Sequence, residues 1–263
     1  MTSHVFTALA LAAALVAGPA QAGRSCQSRP LSLQTLQQGL ALAEHTARRL
    51  EASGAQVAVI ARNGQDLSRY GLRYSHLGLA YRDEQAGRPV WRVVHKLNHC
   101  GTARAAVYRQ GFAEFFLDDL HVFEAGIVPL TPRVQQPLLA ALRDNRRATT
   151  LHTPAYNMVA YPWSVRYQQS NQWAIETLAS ALEPAVRNRE QAQAWLKLQD
   201  YRPTTLRIGA LTRLGGRMTA ANIAFDDHPN DKRYADRIET VTVDSVFRWL
   251  ERSGLGRHEE VVR

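Results

Sequence analysis

The chain has 263 residues, a length of one or two domains. Apolar residues make up 45% and charged residues 21%, which excludes a wholly disordered or collagen-like chain. There are 32 Lys and Arg against 23 Asp and Glu, a net charge of +9, and beyond residue 22 no apolar run reaches the roughly 20 residues of a membrane helix.

Residues 5–17, VFTALALAAALVA, are apolar or small, and Ala20-Gln21-Ala22 follows. That pattern predicts a secretory signal at 1–22, cleaved after Ala22, although its first residues lack Lys or Arg. The mature chain then has no membrane anchor and keeps its +9 charge, because residues 1–22 contain no charged Lys, Arg, Asp or Glu side chain. Export to the periplasm removes nucleic acid as a partner and points to wall peptide, lipid headgroups or an envelope protein. Gly23, Arg24 and Ser25 before Cys26 are wrong for lipidation. In an oxidising compartment Cys26 and Cys100 are expected to form one disulfide, worth on the order of 4 kcal/mol in the chain-entropy model.

Leu33, Leu36, Leu40, Ala43, Ala47 and Leu50 recur every three or four residues. The spacing predicts a helix over 32–53, with Ser32 at its start and Gly54 just past its end. Gln56–Ala61, Tyr74–Tyr81 and Val90–Leu97 read as strands, the last two joined by a hairpin-like connection at Asp83–Pro89. Gly111–Leu120, Pro137–Asn145, Ser170–Ala185 and Arg189–Gln199 read as helices, and Thr150–Gln169 as a loop rich in Tyr, Pro and Trp. Strands at Thr205–Leu211 and Arg237–Val243 and a helix at Asp244–Arg252 follow. The pattern is α+β: a largely antiparallel sheet flanked by helices. One domain over 23–200 carries an extension, 201–263, packed on it.

The segment Tyr74-Ser75-His76-Leu77-Gly78-Leu79-Ala80-Tyr81 carries the most chemical information. Alternation puts His76, Gly78 and Ala80 on one face and Leu77, Leu79 and Tyr81 on the other. An imidazole beside two minimal side chains suits a cleft. His95 on the next strand comes near it if the two strands pair, as a general base and its orienting group would. His76, His95, His99, His121 and His228 lack metal-ligand spacing, so neither a metal nor a cofactor is expected.

In order, AQVAVIARNG, YSHLGLAY, VWRVVHKLN, FEAGIVPLTPRVQQPLLAAL and AYNMVAYPWSVRYQQSNQWAIETLA resemble the circularly permuted NlpC/P60 branch of the papain-like superfamily. The likeness covers about residues 55–183. The whole chain also resembles exported proteobacterial proteins whose domain has no assigned function. The resemblance implies a permuted papain-like fold, with His76 as the catalytic histidine and His95 near the third polar position. Ser170 falls where the family carries its nucleophilic cysteine. It further implies a cleft lined by Tyr74, Tyr156, Asn157, Trp163, Asn171 and Gln172.

No cysteine follows residue 100. A hydroxyl needs full base assistance where a thiol does not, and Ser170 is equally suited to cap a helix. Two readings stay open. One is a catalytically silent relative that binds wall peptide, lipid or a partner protein, which the missing thiol favours. The other is an amide or ester hydrolase or acyltransferase with Ser170 attacking and His76 as base. Asp226-Asp227-His228 reads as an acidic turn closed by Pro229, or as an added base or cation ligand.

Overall fold

The computed structural model describes Cys26 and residues 30–118 and 120–263. The expected signal at 1–22 lies outside the described residues. Among those residues no helix is long and apolar enough to cross a membrane.

Helix α1 spans Leu33–Ser53. The Ser32 hydroxyl accepts from the Thr35 N–H at its start, and Gly54 ends it at a φ of 69°. Strands β1 (Val57–Asn63), β2 (His76–Gln85), β3 (Arg88–Asn98) and β4 (Ala105–Gly111) follow, with a single 3-10 turn at Ser68–Tyr70. The β2–β3 strands run through the segment expected as a connection, and Ala86-Gly87, at φ 51° and 73°, make a two-residue turn. The short helix α2 (Phe112–Phe116) replaces the longer one expected over 111–120. Strand β5 (Val122–Pro129) leads into α3 (Pro132–Arg143), with Pro132 in its first turn and Pro137 in its interior. The helix expected over Pro137–Asn145 thus begins five residues earlier. Then come α4 (Asn145–Thr149), α5 (Ser170–Leu182) and α6 (Arg189–Leu198). Strand β6 (Thr204–Arg207) stops short of the expected Leu211, because Gly209 turns the chain into α7 (Ala210–Thr219). Helix α8 (Asn230–Tyr234), β7 (Arg237–Thr240), α9 (Val243–Arg252) and β8 (Glu260–Val262) complete the chain.

The main sheet is antiparallel throughout, in the order β4-β3-β2-β1-β5-β8. Strand alternation divides its side chains between two cores. Val57, Val59, Leu77, Leu79 and Tyr81 pack with Leu138 of α3, Trp173 and Leu178 of α5, Leu196 of α6 and Trp249 of α9. Ala58, Ile60, Ala80 and Val93 pack on the other face with Leu42 and Leu50 of α1 and Phe115 and Phe116 of α2. The molecule is therefore α+β in three layers. Residues 241–263 supply both a core helix and the edge strand β8, while β6 and β7 form a separate ribbon over a minor core of Leu206, Ile208, Phe225 and Ile238.

Candidate functional site

The first residue of β2 and the middle of β3 bring His76 and His95 together. His76 Nε2 lies 2.8 Å from His95 Nδ1. The two rings meet edge-on at 5.1 Å and stand over Phe115 of α2, with centroids at 6.0 and 5.2 Å. Gly78 makes this possible. A Cβ there would come within 2.4 Å of Val93 Cγ1 and 3.3 Å of His95 Cβ, so the bare backbone leaves room for Val93 and a close approach of the second histidine.

The hydrogen bonds set the tautomers. Gln110 of β4 donates its amide nitrogen to Glu114 Oε1 at 3.0 Å, which turns its own Oε1 toward His95 Nε2 at 2.7 Å. An amide oxygen only accepts, so His95 Nε2 carries a proton. In a neutral ring His95 Nδ1 then accepts, and His76 Nε2 must donate to it. The chain of bonds ends at His76 Nδ1, left with a lone pair and no hydrogen-bond partner among the described residues. His95 is fully buried, whereas His76 stays partly exposed.

Both imidazoles are held neutral. Burial pushes His95 down to about 4, helped by the positive charge of Arg62. Burial, then Arg62 and then His95 hold His76 well below the usual histidine range. The Arg62 guanidinium lies 4.7 Å above the Phe115 ring and donates to the Phe115 carbonyl and to Asp118. A proton added to His95 would sit in a buried site beside the Arg62 cation, which Asp118 and the Gln110 oxygen offset only in part.

Ser170 is not part of this arrangement. It is the first residue of α5 and is buried. Helix α5 covers the Leu77 face of β2, opposite the face that carries His76. Neither imidazole hydrogen-bonds a hydroxyl or thiol among the described residues. Nor does Ser170 cap its helix: the Gln169 side chain does so, accepting from the Asn171 N–H at 2.9 Å.

The residues expected to line a cleft are dispersed and mostly engaged. Asn171 Oδ1 accepts from the Leu77 N–H at 3.2 Å, and its Nδ2 donates to the Val241 carbonyl. Asn157 clasps the Ala224 backbone through both ends of its amide. Tyr74 lays its ring against Gly126 and donates to Glu259 at 2.7 Å. Trp163 packs on Tyr201 and under the Lys197 ammonium. Gln172 donates to the Pro162 carbonyl and to Glu176, and its Oε1 is buried without a partner.

Cys26 and Cys100 are disulfide-bonded, with Cα atoms 5.6 Å apart. Asp227 accepts from the Tyr161 N–H and meets His228 Nδ1 at 3.0 Å, while His228 Nε2 faces the Glu239 carbonyl at 2.9 Å. Both side chains are buried and serve the ribbon's packing rather than a cleft. Among the described residues no three His, Cys, Asp or Glu side chains converge as a metal centre would need.

Sequence reasoning missed Arg62, Gln110, Glu114 and Phe115, and with them the relay. Gln110 sits in β4, a strand not recognised in the sequence. It also missed a buried polar cluster under the 150–169 loop. There Arg189 pairs with fully buried Glu176 at 2.8 Å and donates to the carbonyls of Ser164, Val165 and Tyr167. Fully buried Lys96 donates to the Thr153 carbonyl at 2.6 Å and to Gln168 at 2.9 Å, and burial pushes it down to about 7.

A family model described as an uncharacterized protein conserved in bacteria (DUF2145) matches residues 49–250, more than half of the chain. No curated protein and no solved structure matches.

Proposed function

The chain belongs to the DUF2145 family, and we propose that it is a non-hydrolytic binding protein of the bacterial envelope, exported by a cleaved signal and built on a permuted papain-like frame. The contact between the start of α5 and the start of β2, through Asn171 and Leu77, supports that frame. The recognition point is the sheet end at His76, and the ligand is a wall peptide. Its amide N–H groups donate to the bare His76 Nδ1, and its carboxylates are drawn to a surface of net charge +9.

One observation carries the choice of binder over hydrolase: α5, which begins at Ser170, packs on the Leu77 face of β2, whereas the imidazole pair lies on the opposite face and hydrogen-bonds no hydroxyl or thiol among the described residues. A general base must also hold the proton it takes, and here Arg62 opposes that charge. A neutral acceptor needs no such step.

The test uses a serine-directed fluorophosphonate probe and calorimetric titration with a soluble disaccharide-peptide wall fragment. The expected result is no labelling, with fragment binding that His76→Ala weakens roughly tenfold, the loss of one good hydrogen bond. Labelling that disappears in both Ser170→Ala and His76→Ala would establish the serine hydrolase instead. Binding indifferent to His76→Ala would remove this recognition point.

A further inference from the structure

Helix α7 is attached by the wrong face. A surface helix of a globular protein turns its apolar stripe inward, yet no residue of α7 is buried. Leu211, Leu214 and Met218 are 86%, 57% and 78% exposed. Their spacing of three and four places them on one side of the helix. The attached side is small and polar: Gly216 lies over Ile223, and Arg213 donates to the Ile208 carbonyl and to Asp236. Water is a poor solvent for the outward stripe, so the fold is arranged to present it to something else.

The surrounding charge narrows what that is. From Tyr201 to Ala224 the chain has four arginines, at 202, 207, 213 and 217, and no acidic residue. Arg207 and Arg217 are exposed, and neither has an ion pair among the described residues. Arg69, stacked on Tyr70, lines an open groove together with Arg207 and with Thr212 of α7. Asp236, beside the start of the helix, is already paired with Arg213. Three apolar side chains on a ten-residue helix also fall well short of the roughly 800 Å² that each partner contributes to a stable protein interface. An apolar stripe flanked by free arginines is the pattern of a helix that lies in a lipid interface.

We propose that α7 docks the protein on an anionic phospholipid surface, with Leu211, Leu214 and Met218 at the acyl boundary and Arg69, Arg207 and Arg217 at the headgroup phosphates. The docking is peripheral and reversible, since one short helix reaches only the boundary of the acyl region. Each arginine adds attraction that falls off within a Debye length, so added salt releases the protein. The proposal stands apart from the His76 site, and each survives failure of the other.

The test is co-sedimentation of the full chain with vesicles of phosphatidylcholine alone or mixed with phosphatidylglycerol. Leu211→Gln/Met218→Gln changes only exposed side chains, so folding is not at stake, and the N-terminal segment is the same in both chains. The expected result is binding to the mixed vesicles, weakened roughly tenfold by the double substitution and by Arg207→Gln/Arg217→Gln. Equal binding to neutral vesicles, or undiminished binding by the Leu211/Met218 variant, would overturn the proposal. So would a dimer in solution that the same variant abolishes while vesicles bind nothing, because the stripe would then belong to a second copy.

Discussion

His76 and His95 share a hydrogen bond of 2.8 Å, and the half-buried Gln110 amide behind His95 decides which of them donates. Gln110 offers its oxygen to His95 because Glu114 takes its nitrogen, so the orientation set on α2 reaches the sheet surface as a lone pair on His76. Three strands and a helix cooperate to present a single acceptor atom.

The neutral pair makes the fold sensitive to acid. His95 is pushed down to about 4, and His76 lies well below its ordinary value of 6.5, both chiefly by burial. Between about 4 and 6.5 the unfolded chain therefore binds more protons than the folded one, and stability rises with pH. It is lost as the solution is acidified from about 6.5 toward 4, and above that window these groups contribute no slope. For His95 alone the loss amounts to about 3 kcal/mol. Urea midpoints measured from pH 7 to pH 4 should fall steadily, and His95→Gln should flatten the decline. An unchanged slope in that variant would refute the assignment.

The close packing of β2 on β3 beside His95 depends on Gly78. Gly78→Ala places a methyl 2.4 Å from Val93 Cγ1, an overlap that forces the Val93 side chain or β3 to shift. The expected cost is about 1–3 kcal/mol in chemical denaturation. Gly78→Ala/Val93→Ala removes the obstructing methyl and should lose less than the sum of the two single changes. Simple additivity would show that the two positions do not collide.

Glu176 and Arg189 are an ion pair sealed under the 150–169 loop, and the guanidinium holds three of that loop's carbonyls. Glu176→Ala leaves a buried cation without its partner and should destabilise by about 3–5 kcal/mol in urea or guanidinium unfolding. Glu176→Leu/Arg189→Met removes both charges and should cost less than the single change relative to its lost contacts. A loss below about 1 kcal/mol for Glu176→Ala would mean that water already reaches the pair.

Local pattern carried much of the architecture. The three-four spacing of leucines marked α1 nearly to the residue, and alternation placed His76 and Gly78 on one face of β2 with Leu77 and Leu79 on the other. Alternation says which side chains share a face, however, not which layer covers it. The resemblance set Ser170 opposite His76. The packing instead laid α5 over Leu77 and Leu79, and α1 and α2 over the histidine face.

Strand β4 escaped notice because, beyond Ala105, its residues are half-buried or exposed, leaving no apolar alternation to read. Gln110 was lost with it. Helix α7 has no counterpart in the sequence reading, whose strand over 205–211 covers only its first two residues. Its apolar residues point outward, so they answer to no core that a sequence pattern could anticipate.

The protonation of the two imidazoles tests the relay most directly. Nitrogen-15 NMR of the histidine rings at pH 7 should find His76 and His95 both neutral and both protonated at Nε2, with His76 Nδ1 bare. Gln110→Leu should abolish the preference at His95. A proton on His76 Nδ1, or an imidazolium at either position, would contradict the account.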